Sequence, residues 1–200
     1  MSALPKAVYT PEEYLALDRE AEFKSEYHAG EIFAMAGASE NHDIIAVNVL
    51  AELRAQLRGG PCRPFSADMR VQIPEADRYT YPDVTVVCGE RQFADGRRDV
   101  LLNPTLVVEV LSPTTEAYNR GDKAEAYRRL ASLQEYLLIA QDRPHLEQYT
   151  RQADGRWLLS EADQLEAAVH LASIRCDLTL ADVYEGVSFE PAARREAEPR

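Results

Sequence analysis

The chain of 200 residues has little cysteine, little lysine and no long apolar run. Its cysteines, Cys62, Cys88 and Cys176, are odd in number, far apart and form no CxxC pair. That argues against a disulfide framework and a cysteine zinc site, and predicts buried, reduced thiols in a cytoplasmic protein. No stretch approaches the ~18 consecutive apolar residues of a membrane-spanning helix. The opening MSALPKAVYT has no apolar core of signal-peptide length. There is no GxSxG, Walker loop or GxGxxG, and His28, His145 and His170 have no zinc-like spacing. Basic residues are outnumbered by acidic ones, 22 to 34, for a net charge of −12. Non-specific coating of nucleic acid needs many cations against phosphate, so the acidity argues against it, although it leaves room for a local basic groove. Acidity also suits carboxylates gathered at a metal site.

Lysine is scarcest among the cations. Only Lys6, Lys24 and Lys123 occur, and every other basic residue is Arg. Where Arg is the default surface charge, a Lys favours a role that Arg cannot fill, such as a compact donor whose pKa can move. Arg63, Arg70, Arg120 and Lys123, with Arg128 and Arg129, are the candidates for a basic strip set apart from the acidic surface.

What is present reads as an ordinary globular composition, 46% hydrophobic and 28% charged, of a length that makes one domain over residues 1–190 with a frayed tail at 191–200. Thr10-Pro11-Glu12-Glu13 predicts a helix start, with a short helix to about Arg19. Glu26 to Met35 alternates as a hairpin turning at Ala29-Gly30. Ile45, Val49, Leu50, Leu53 and Leu57 form the stripe of a helix near 41–58, which Gly59-Gly60-Pro61 ends. Strands follow at Cys62–Phe65, Met69–Ile73, Thr80–Cys88 and Leu106–Leu111, with a polar loop over 89–103. A second helix is expected from Gly121-Asp122, then a strand at Leu137–Ala140, a hairpin around Asp154-Gly155 and a small element over 178–187. This order is α/β with a mixed sheet.

Two carboxylates stand where charge is costly. Glu109 lies inside the apolar run Leu106-Val107-Val108-Glu109-Val110-Leu111, so it must be paired, hydrogen-bonded or on a metal. Asp83 follows Pro82 at the start of Val84-Thr85-Val86-Val87. On neighbouring strands the two would make a hard-oxygen site for Mg²⁺ or Mn²⁺. Lys123 could position an attacking water or stabilise phosphate charge, and Tyr127, four residues on, shares its helix face. Secondary candidates are His42, near a helix start; Asp68, for which a turn or salt bridge is an equal reading; and Glu31, whose bland reading is a solvated strand position.

Pro82-Asp83 followed by Glu109 resembles the PD-(D/E)XK nuclease superfamily. The usual Lys two residues after the acid is Leu111 here. Val108 to Pro113, then Asp122-Lys123 and Tyr127, resembles the Uma-two family of restriction endonucleases, in which the Lys has moved to the following helix. Tyr27, Gly30-Glu31-Ile32, His42, Ser66-Ala67-Asp68-Met69-Arg70-Val71 and Glu135-Tyr136 agree with it over residues 10–185, whereas Leu137 and Ala140 replace that family's Trp and Asp. The resemblance implies a restriction-endonuclease-like core, a mixed central sheet flanked by helices, with Mg²⁺ or Mn²⁺ held by Asp83, Glu109 and the Val110 carbonyl. It also implies hydrolysis of DNA phosphodiesters with Lys123 orienting the water, and a homodimer if both strands are cut. The alternatives are a non-catalytic binding module on the same fold, or a phosphohydrolase of smaller substrates.

Overall fold

Thr10 starts the first helix by a reciprocal cap. In the computed structural model, which describes residues 8–35 and 37–189, the Thr10 hydroxyl accepts from the Glu13 N–H and the Glu13 carboxylate accepts from the Thr10 N–H. Helix α1 spans Pro11–Glu20. Strands β1 (Ser25–His28) and β2 (Glu31–Ala34) form the expected hairpin. Ala29 and Gly30 both have positive φ, 47° and 90°, as a two-residue turn requires. Ser39 caps α2 (Glu40–Gln56).

Four strands follow: β3 (Cys62–Ser66), β4 (Arg70–Ile73), β5 (Arg78–Thr80) and β6 (Val84–Cys88). The single strand expected over 80–88 is thus two, because Pro82 cannot donate to a ladder and the Tyr81 N–H goes to the Glu26 carboxylate instead. The loop expected at 89–103 contains β7 (Val100–Leu101). Beyond β8 (Leu106–Leu111), α3 (Glu116–Tyr118) runs through a π-helical turn at Asn119–Lys123 into α4 (Ala124–Arg128). That helix therefore begins before Gly121, since the Ser112 carbonyl already accepts the Thr115 and Glu116 N–H groups. Strands β9 (Glu135–Ala140), β10 (Leu146–Arg151), β11 (Trp157–Ala162), β12 (Ala168–Leu171) and β13 (Cys176–Thr179) precede α5 (Leu180–Val183). The expected tail at 191–200 lies outside the described residues.

Three sheets result. The central one has six strands in the order β11-β10-β9-β8-β6-β3 and is mixed, because β8 and β9 run parallel. A five-stranded sheet is ordered β2-β1-β5-β4-β7, and β12 pairs with β13. Ile45, Val49 and Leu53 of α2 pack with Val84, Val86, Val108 and Val110 on one face of the central sheet. On the other face Val87, Val107 and Leu111 pack with Ala124 and Tyr127 of α4 and with Val71 and Ile73 of the five-stranded sheet. Side chains alternate along a strand, so Glu109 belongs to this second face, while Asp83 sits on the bend that leads into β6. No helix among the described residues is long and apolar enough to cross a membrane.

The cysteine reading is corrected. Cys62 and Cys88 stand directly opposite on β3 and β6 and are joined as a disulfide, leaving Cys176 as the buried free thiol. Far apart in sequence, they are brought together by strand pairing, which spacing alone does not reveal.

Candidate active site

Strands β6 and β8 are antiparallel neighbours with Val84 opposite Val108. Asp83 lies one residue beyond that last pair, on the bend before β6. Its Oδ2 accepts the Val110 N–H at 2.7 Å. Glu109 is 3% exposed. Its Oε1 accepts the Tyr127 hydroxyl at 2.9 Å and lies 2.9 Å from Lys123 Nζ. The Tyr127 oxygen is in turn 2.9 Å from Thr80 Oγ1. Since the Tyr127 proton goes to Glu109, Thr80 is the donor of that second bond.

Lys123 is 4% exposed and closes the π-helical turn. Its ammonium bridges Glu109 and Glu26 Oε1, each at 2.9 Å. His42, in the first turn of α2, places Nε2 3.4 Å from Asp83 Oδ2, and these two are the more open members of the group. Burial pushes the Glu109 carboxyl up to about 8, with Lys123 opposing and Asp83 and Glu26 adding. Burial likewise raises Asp83, against His42 and the Val110 N–H. Burial alone would lower the Lys123 pKa, but the Glu109 and Glu26 carboxylates outweigh it and hold the ammonium protonated.

Asp83, Glu109, Lys123, Tyr127 and His42 are therefore brought together. Asp68 is not. It is exposed and pairs with Lys24 at 2.5 Å, the salt-bridge alternative. Glu31 stands opposite His28 across the β1–β2 turn. Glu26 is the member that sequence reasoning missed. Its signal is a carboxylate in a short strand beside Tyr27, one hairpin step from the Gly30-Glu31 pair that drew notice instead. Four of the six cations expected to form a basic strip are engaged within the chain. Arg70 is buried against Asp18 and Asp99, Lys123 is enclosed by its two glutamates, and Arg120 and Arg129 pair with Glu116 and Glu125. A second set of metal-ligand types, His145, Glu147 and Glu161, has ligand atoms within 4.8 Å of one another, but Arg120 already contacts Glu147.

The chain matches the model of the family described as "Uma2: Putative restriction endonuclease" over residues 11–182, and it belongs to that family. Two Synechocystis proteins, the uncharacterized slr1290 and sll1609, are each 38% identical to it. The first match covers 90% of this chain and 93% of the relative, the second 77% and 87%. A crystal structure titled as a putative nuclease belonging to DUF820, from Anabaena variabilis, superposes with a TM-score of 0.74. It is 21% identical and covers 90% of this chain and 99% of its own. At that identity it establishes the shared fold.

Proposed function

We propose that the chain is a divalent-metal-dependent endonuclease that hydrolyses DNA phosphodiester bonds, with Asp83, Glu109 and Lys123 as catalytic residues. The observation that carries this reading is the Lys123 ammonium, brought 2.9 Å from Glu109 by a helix rather than by the Glu109 strand. The donor set suits a hard cation. Glu26, Asp83 and Glu109 share one ammonium, so three negative charges less one positive leave two when all are ionised. Asp83 Oδ1 and Glu109 Oε2 make no hydrogen bond among the described residues. On a strand, the N–H and C=O of one residue leave on the same side. The Val110 N–H goes to Asp83, so the Val110 carbonyl leaves on Asp83's side as well. Asp83, Glu109 and that carbonyl would hold Mg²⁺ or Mn²⁺, which when bound supplies Lewis acidity and a readily ionised water.

The chain's own groups do the rest. Lys123 stays protonated, so it is no proton acceptor; it orients the attacking water and stabilises charge on the phosphate. Tyr127 fixes Glu109 through one oxygen, and Thr80 fixes Tyr127. His42 positions Asp83 from α2. The acidity, a net charge of −12, favours the phosphohydrolase of smaller substrates as second reading.

Single-turnover cleavage of duplex DNA with Mg²⁺ or Mn²⁺ tests the proposal. Wild type should cut, Glu109→Gln should lose ~10²–10³ in rate and bind metal more weakly, and Lys123→Arg should lose a comparable factor while still binding metal. Hydrolysis of a dinucleotide without cleavage of duplex would favour the second reading. Equal rates for wild type and Glu109→Gln would end both.

A further inference from the structure

Arg78 is a buried cation that no carboxylate pairs with directly among the described residues. It lies on β5, 5% exposed, and no carboxylate comes within ion-pair distance of it among the described residues. Its Nη1 donates to the neutral Tyr118 hydroxyl at 3.2 Å, and its Nη2 lies 3.1 Å from His28 Nε2. The Tyr118 ring is 5.7 Å from its guanidinium carbon. Its Nε is buried with no acceptor among the described residues. A desolvated charge with only neutral partners is costly, and folded proteins keep such groups where they serve a ligand. His28 supplies no counter-charge: an imidazole is neutral or cationic, and burial and the neighbouring guanidinium both push its pKa down.

Beside Arg78 opens a cavity of about 270 Å³, which Arg129 also lines. The carboxylates of that lining make no ion pair with Arg78, and Glu125 feels it only at longer range. Glu125 is held by Arg129 at 2.8 Å, and Asp122 stays beyond ion-pair distance. A planar guanidinium with an unused N–H edge matches the tetrahedral oxygens of a phosphate. Along β5, Arg78 alternates with Thr80 onto one face, and Thr80 is the donor that holds Tyr127 on Glu109. The cavity therefore lies one strand step from the candidate catalytic cluster. We propose that Arg78 forms the floor of a phosphate-binding pocket that takes a phosphate group of the substrate other than the one being cleaved. The proposal rests on the phosphodiesterase reading above and adds a binding residue to it.

Binding measured in chelator separates the two, because nothing is cleaved there. The probes are inorganic phosphate and a labelled DNA duplex with either 5′-hydroxyl or 5′-phosphate ends, each titrated against wild type, Arg78→Lys and Arg78→Met. Arg78→Met should weaken duplex binding roughly tenfold and lower the salt slope by about one, and Arg78→Lys should recover part of both. Tighter binding of the 5′-phosphate duplex would assign the pocket to a chain end; equal binding would assign it to a backbone phosphate. Removing an unanswered buried charge should also leave the free Arg78→Met protein melting at or above wild type, the opposite of a structural arginine. Wild-type and Arg78→Lys melts give a second readout: phosphate at low millimolar concentration should raise the melting temperature of wild type more than that of Arg78→Lys. Unchanged duplex affinity and salt slope in Arg78→Met, a variant that melts well below wild type or does not fold, or an equal phosphate effect on wild type and Arg78→Lys would overturn the proposal whether or not the protein proves to be a nuclease.

Discussion

At the scale of single residues, Glu109 makes the metal-free protein sensitive to pH. Its carboxyl ordinarily titrates near 4.5 and is pushed up to about 8 by burial. A folded-state pKa above the unfolded one means that the folded form holds the proton more tightly. That stability is complete below the ordinary value and is lost as pH rises toward about 8. Asp83, raised by burial, acts with the same sign. His28 acts oppositely, because burial lowers its pKa and so it adds stability as pH rises through 6.5. Thermal melts in chelator should separate them: wild type minus Glu109→Gln should show a difference that shrinks from about pH 5 to about pH 8, and millimolar Mg²⁺ or Mn²⁺ should oppose the loss. Parallel curves for the two proteins would mean that Glu109 does not titrate in this window. Tyr127→Phe probes the neighbouring contact. It removes the proton donated to Glu109 and strands Thr80, at a cost of about 1–3 kcal/mol. A drop in melting temperature together with roughly tenfold slower cleavage is expected, the rate read by single-turnover assay.

At the scale of elements, the π-helical turn decides which side chains meet. Asn119–Lys123 widens the helix by about one residue relative to an α-turn, and Lys123 ends the wide turn over Glu109 while Arg120 reaches Glu147 on β10. Deleting Gly121, whose Cβ position is open, should restore α-helical spacing and swing Lys123 by about 100°. Far-UV circular dichroism should change little while metal-dependent cleavage is lost; retained cleavage would show that the turn is not needed to place Lys123. This element was the least legible in the sequence. The α1 cap, the α2 stripe and the Ala29-Gly30 turn are local signals, and each sits where its residues place it. A π-turn leaves no periodic trace, and the Ser112 bonds that start its helix early are tertiary facts. Asp83 and Glu109 were readable because a charge inside an apolar strand is conspicuous. Glu26 was not, because its strand is four residues long and polar at both ends.

At the scale of the whole molecule, the Cys62–Cys88 bond ties the edge strand β3 to β6, the strand that Asp83 leads into. It spans 26 residues, which in the chain-entropy description stabilises by about 3 kcal/mol. Reductant should lower the melting temperature by roughly 6–12 °C for a domain of this size. Alkylation of the unfolded protein should count one thiol before reduction and three after. A count of three without reductant would show the pair to be unlinked.

The Lys123 ammonium has a further consequence, one of supply. Held between Glu26 and Glu109, it is a counter-ion built into the chain, so the carboxylates are never left facing one another alone. On the reading proposed here, the fold then does not need to grip a divalent ion between reactions. The ion can come and go with substrate, its affinity can be modest, and the rate follows the free Mg²⁺ of the surroundings. Cleavage should accordingly still be climbing across the millimolar range of Mg²⁺, so that the protein would sense the ionic state of its compartment as well as its substrate.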